Sequence, residues 1–227
     1  MERRDQEKHL AFYRMRDELR KGRHCALCSL ERKAMHQYFD GLLYEKVTDP
    51  GIRRSLVESA GFCSRHAHQL AGFGDGLGSA ILSVDQLKLR LEKLRKGGTT
   101  PPRHRAPRGH AAGGSRVCPA CRREEEIRSR HVETLVKGLA DSEMALAFGS
   151  SAGLCFPHFT LVSEQAEEGE VRALVHKTQA ERTSRLLGEL KEFIDKHDYR
   201  RASEGFTGEG DSWLRAIEFI SGMKNLF

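Results

Sequence analysis

Six cysteines and two of the eleven histidines fall into a spacing that can hold metal. Cys25, Cys28 and Cys63 recur as Cys118, Cys121 and Cys155, at offsets of 93, 93 and 92 positions. Each third cysteine is followed three residues on by a histidine, His66 or His158. The shared string is Cys-x-x-Cys, some 34 residues, then Gly-apolar-Cys-x-x-His. It closes as Gly61-Phe62-Cys63-Ser64-Arg65-His66 in one copy and Gly153-Leu154-Cys155-Phe156-Pro157-His158 in the other. No cysteine is left over, so an internal duplication organises every later reading.

Three thiolates and one imidazole match a closed tetrahedral Cys3His zinc site, so the set predicts two zinc ions per chain. Four protein ligands leave no position for substrate, which argues for a structural role over hydrolysis. The same ligands could carry an iron–sulfur cluster, although such centres are usually richer in cysteine. Pairing within each copy is the simplest expectation; exchange of ligands between copies satisfies the same chemistry. Closing a loop of this length costs a few kcal/mol, whereas a structural zinc contributes roughly 10–16 kcal/mol. Covalent c-type haem is excluded because Ser29 and Arg122 stand where its histidine belongs. A thioredoxin-like dithiol needs a βαβ setting that this chain lacks. No Ser/His/Asp arrangement, phosphate-cradling glycine loop or catalytic carboxylate pair is visible, so an enzyme is not the leading reading.

The elements that position these residues read as helices. Phe12, Met15 and Leu19 share one helical face, with Gly22 as a left-handed stop. Leu30, Ala34, Phe39, Leu42 and Leu43 follow the first Cys-x-x-Cys at helical spacing. Asp49-Pro50 caps a short helix carrying Ile52, Leu56 and Val57. Another helix is expected to open at Ser79, with Ile81, Val84, Leu87, Leu91 and Leu94 as its apolar side. The second copy repeats the scheme: Ile127, Leu135, Val136 and Leu139 on one helix, then Asp141 or Ser142 capping Met144 and Phe148. A long helix from about Val171 to His197 follows, with Val175, Leu186, Leu190, Phe193 and Ile194 expected inward. No window alternates with period two, so the fold class is all-α. In the tail, Asp211-Ser212 can cap a helix whose Trp213, Ile217 and Ile220 are expected to dock on the bundle. His24 and His68 read as neighbours of the ligands, His36, His131, His176 and His197 as solvated, and Glu124-Glu125-Glu126 as an exposed helix face.

Composition agrees. Leu appears 25 times against 15 for Val plus Ile, a bias toward helix. Gly97 to Val117 holds three Pro, five Gly and four Arg with no acidic residue, the composition of a flexible basic linker. The expected organisation is a first unit over 1–96, the linker over 97–117, a second unit over 118–200 and a tail over 201–227. No stretch is apolar enough to span a membrane. Met1 to Arg23 lacks the apolar core of a secretory signal, so a cytoplasmic address is expected. The net charge of +6 allows nucleic acid as a partner through the linker, although 32 acidic residues weaken that reading.

The twin motif resembles an uncharacterised family of bacterial and archaeal proteins, a domain of unknown function. Asp198-Tyr199-Arg200 and Asp211-Ser212-Trp213-Leu214-Arg215-Ala216-Ile217-Glu218 add to the likeness. The resemblance implies a prokaryotic cytosolic metalloprotein and supplies no activity. The functional expectation is therefore a zinc-stabilised adaptor with an unidentified protein partner. An iron–sulfur redox or sensor protein and a zinc-dependent nucleic-acid-binding regulator are the alternatives.

Overall fold

A computed structural model describes residues 9–98 and 117–226, so 99–116 of the expected linker lie outside the described residues. Among the described residues the regular structure is helical, with no strand, and no helix is long and apolar enough to cross a membrane. The elements are α1 (Leu10–Arg20), α2 (Ala26–Glu45), α3 (Pro50–Glu58), α4 (Ser64–Ala71), α5 (Gly76–Arg95), α6 (Pro119–Gly138), α7 (Ser142–Ser150), α8 (Phe156–Gln165), α9 (Glu170–Asp195) and α10 (Ser212–Ser221). A 3-10 turn, Ala202–Glu204, precedes α10. The duplication is plain in their lengths: α2 to α5 run 20, 9, 8 and 20 residues, and α6 to α9 run 20, 9, 10 and 26.

Local chemistry sets the ends of these helices. The Asp49 carboxylate accepts the Ile52 N–H at 2.9 Å, with Pro50 in the first turn, where its missing donor costs nothing. Asp141 accepts from the Glu143 N–H at 2.9 Å at the matching place in the second copy. Gly22, at φ +64°, lets the chain leave α1 in the left-handed region. α5 starts three residues before the expected Ser79, because Asp75 accepts the Gly78 N–H at 2.8 Å and caps it earlier.

Two compact units emerge, and they are nested in the chain. The outer unit takes residues up to Arg32 together with those from Arg128 onward; the inner unit runs from Lys33 to Ile127. The boundaries fall inside α2 and α6, so each unit draws on both sequence repeats. In the outer unit α1 packs on α7, α9 packs on α7 and α8, and α10 lies on α8 and α9. Its core holds Met15, Leu19, Leu27, Leu135, Phe148 and Leu154. In the inner unit α5 packs on α3 and α4 over Met35, Phe39, Leu42, Leu56, Phe62 and Leu82. Each such side chain contributes about 1.5–3 kcal/mol on leaving water.

Two apolar stripes, and one residue of a third, are turned otherwise than their periodicity implies. Val84, Leu87, Leu91 and Leu94 of α5 are exposed, and the helix instead buries Gly78 and Leu82. Trp213, Ile217 and Ile220 are also exposed; α10 docks through Ser212 and Ala216, with Phe219 edge-on to Phe156 at 5.4 Å. Ile194 of α9 points to solvent. Small residues let a helix approach its neighbour closely, so the side that packs need not be the side with the most carbon.

Candidate metal centres

Each ligand pair sits at the start of a helix. Cys25 and Cys118 immediately precede α2 and α6, while Cys63 and Cys155 are the N-cap residues of α4 and α8. The second member, three residues on, lies in the first turn and faces the same way. The Ser29 and Arg122 amides donate to the Cys25 and Cys118 carbonyls, both at 3.1 Å, which fixes that turn. Helix N-termini carry partial positive charge and favour the thiolate form of a cysteine placed there.

The eight side chains gather into two quartets. Cys25, Cys28, Cys155 and His158 form one, and Cys63, His66, Cys118 and Cys121 form the other; within each, the ligand atoms lie within 4.8 Å of one another. The first belongs wholly to the outer unit and the second wholly to the inner. The expected pairing within each copy is therefore corrected. Each Cys-x-x-Cys meets the Cys-x-x-His of the other copy, nested like brackets. Loop entropy permits this: Cys28 and Cys155 are 127 positions apart. By logarithmic scaling, that adds only about 1 kcal/mol to the closure expected within a copy.

The distances suit a single ion. His158 Nδ1 lies 3.5, 3.3 and 3.2 Å from the sulfurs of Cys25, Cys28 and Cys155. His66 Nδ1 lies 3.3, 3.5 and 3.3 Å from those of Cys63, Cys118 and Cys121. Cys28 and Cys155 Sγ are 3.5 Å apart, and Cys63 and Cys121 Sγ 3.7 Å. None of the six cysteines is in a disulfide.

A carboxylate stands behind each imidazole. Glu31 Oε1 meets His158 Nε2 at 2.6 Å, both fully buried, and Arg128 reaches the other Glu31 oxygen at 3.3 Å. Glu124 lies 3.7 Å from His66 Nε2 and is held by both terminal nitrogens of Arg65. Such partners fix which imidazole nitrogen is offered to the ion. The reading of Glu124 as part of an exposed run is corrected, since it is 3% exposed. The missed signal was available: Glu31 and Glu124 are 93 positions apart, which extends the repeat to Cys-x-x-Cys-x-x-Glu.

Charge is shared unevenly. Burial raises the Cys25 thiol, but hydrogen bonds with Cys155 and Cys28 and the charge of His158 outweigh it and hold Cys25 well below the ordinary thiol range. Bonds to Cys25 and Cys28 push Cys155 far up. In the inner quartet, bonds with Cys118 and Cys121 lower Cys63, while bonds to Cys118 and Cys63 raise Cys121. Burial opposes protonation of His66, yet its contacts with Cys118 and Cys63 lift it to about 10. Each quartet thus concentrates protons beside a thiolate, and a divalent cation taking the site would displace them.

Among the described residues, no other histidine joins either quartet. His24 is partly exposed and bonded to Glu218 at 2.8 Å, and His68 is exposed. His131 departs from the solvated reading: burial holds its imidazole below the ordinary range, and its Nδ1 is buried without a hydrogen bond. A small cleft of about 80 Å³ reaches Cys25, Cys28 and Cys155 between Arg182, Arg185 and Arg215.

The fold and site define an all-helical protein with two Cys3His groups able to hold metal. Residues 7–226 match the model of a family of unknown function, DUF6062, and the chain belongs to that family. It is also similar to an uncharacterized 23.9 kDa protein in the xynA 3' region of Caldicellulosiruptor sp. (strain Rt8B.4). The two are 26% identical over 205 residues, covering 87% of this chain and 95% of that protein. No solved structure matches.

Proposed function

We propose that this protein is a zinc-stapled helical adaptor, in which each quartet binds one structural zinc and the helices so held present a surface to a protein partner. The observation that carries the reading is the spacing of the ligand atoms. A zinc–sulfur bond of about 2.3 Å gives tetrahedral edges of about 3.8 Å, close to the 3.5 and 3.7 Å between sulfurs. A cluster of several irons interposes sulfide and further metal between its ligands and spreads them wider. All four ligands are protein groups, which suits a structural ion and leaves no open position for a substrate.

Metal analysis of protein purified aerobically and anaerobically tests this. The expected result is a colourless protein with about two zinc per chain, four-coordinate by X-ray absorption, that loses its fold when the zinc is chelated. Iron with acid-labile sulfide and a broad visible band would replace this reading with a redox or sensor protein.

A further inference from the structure

The exposed side of α5 repeats with a period of seven. Leu77, Val84 and Leu91 occupy one position of the heptad, and Ala80, Leu87 and Leu94 occupy the position three residues later. All six are apolar and all six are exposed, Leu77 at 74%, Leu87 at 61% and Leu94 at 63%. These are the a and d positions of a coiled-coil seam. The seam is additional to the side that folds the unit. That side carries Leu82 and Gly78, is tied to α3 by Arg53 to Asp85 at 2.7 Å, and packs under the inner core. A helix with an apolar stripe on two sides needs a second partner, because a continuous exposed strip of this kind marks an interaction surface.

The flanking charges say which partner. In this register Ile81, Lys88 and Arg95 fall at e, and Ser83 and Arg90 at g, with Arg90 half-buried and donating to the Ala60 carbonyl at 3.2 Å, so every charge beside the seam is positive. Parallel pairing with a second copy would set Arg90 against Arg95, and antiparallel pairing would set Lys88 and Arg95 against each other. Both juxtapose like charges, which coiled coils select against. The chain's own undescribed stretches do not fit either. Residues 99–116 contain no apolar side chain larger than Ala or Pro and no acid, and 1–8 contain one Met.

We infer that α5 docks an amphipathic helix of a partner protein that carries leucine-type residues at a and d and glutamates at e and g. The inference rests on the adaptor reading and names the face and the chemistry of its partner. α5 spans about 30 Å at 1.5 Å per residue, so the partner segment is about three heptads long. Because α5 is already folded, only the partner pays ordering entropy.

The test is a fluorescence-anisotropy titration of the full chain, with both metals bound, against a labelled peptide of about three heptads with Leu at a and d and Glu at e and g. A twin peptide carries Lys at e and g. The acidic peptide is expected to bind at least about tenfold more tightly than its twin, and to weaken with added salt. Leu87→Ser with Leu91→Ser, both at exposed positions, abolishes binding while metal content and helicity stay unchanged. Lys88→Glu with Arg95→Glu reverses the preference toward the lysine peptide. No saturable binding of the acidic peptide by the metal-loaded chain would overturn the seam and leave the metal centres untouched. So would equal binding of both peptides, or a self-dimer that Leu87→Ser with Leu91→Ser dissolves. Peptide binding that persists in a chain lacking both metals would instead contradict the stapling and spare the seam.

Discussion

The two quartets have the same ligands on the same helix turns, yet their surroundings differ. In the outer one, Cys28, Cys155 and His158 are fully buried, and Glu31 bonds the imidazole at 2.6 Å. Gln179 also clamps the non-helical approach to the site, accepting the Leu154 N–H at 3.1 Å and donating to its carbonyl at 2.8 Å. In the inner one, Cys63 and Cys121 are half-buried, and Glu124 stands 3.7 Å from its histidine while Arg65 occupies it. Gln86, 93 positions before Gln179, donates to Leu82 of its own helix and clamps nothing. Ligand type decides which ion a site accepts; the shell around it decides how firmly the ion is kept. If both quartets take an ion, the outer one is expected to hold it more tightly.

The largest effects come from the ligands. With a structural zinc in each quartet, Cys155→Ser is expected to remove one metal equivalent and unfold the outer unit, such an ion being worth roughly 10–16 kcal/mol. Cys121→Ser removes the other equivalent and spares the outer unit. Elemental analysis with hydrogen exchange of each unit checks both, and loss of both metals from either single variant would deny the independence of the centres.

Next come the carboxylates. Glu31→Gln is expected to weaken metal retention by about 10–100-fold, and Glu124→Gln by clearly less. Competition against a chromogenic chelator measures both, and equal losses would erase the asymmetry.

Smaller still is Gly153→Ala. Gly153 has φ +82°, and a Cβ there would meet Arg182 Cγ at 3.1 Å. The left-handed backbone alone costs about 1–2 kcal/mol for a residue with a Cβ. The midpoint of chemical denaturation should fall accordingly; an unchanged midpoint would mean that the approach to Cys155 is looser than described.

The smallest effect lies in the tail of the outer unit, where Lys196 bonds Glu209 at 2.6 Å. Bonds from Lys196 and Thr207 hold the Glu209 carboxyl at about 2. A depressed carboxyl stabilises the fold above its ordinary range and loses that contribution as pH falls toward its folded value. Glu209→Gln should therefore lower the melting temperature slightly at neutral pH, with the gap closing as pH drops from about 4.5 toward 2. A gap that widened on acidification would contradict this.

That Cys-x-x-Cys and Cys-x-x-His side chains gather, the helical class and the Asp49 and Asp141 caps were legible because each rests on local chemistry: thiol spacing, period and capping. The pairing of the quartets was not. Both copies offer identical ligand sets, and loop entropy varies too slowly with length to choose between partners. Glu124 looked solvated within a run of three acids; only the match to Glu31 distinguishes it from Glu125 and Glu126. The outward turn of Leu87, Leu91, Trp213 and Ile217 was hidden for another reason. Periodicity reports that a side is apolar, and says nothing of which side a neighbour covers when small residues such as Gly78 and Ala216 allow closer packing.

The nested pairing is tested most directly by metal counts on two double variants. Cys28→Ser with Cys155→Ser strikes one centre twice and should leave one metal per chain by native mass spectrometry. Cys28→Ser with Cys63→Ser strikes both centres and should leave none. The reverse pattern, none in the first and one in the second, would mean that each repeat closes its own site and would contradict the account.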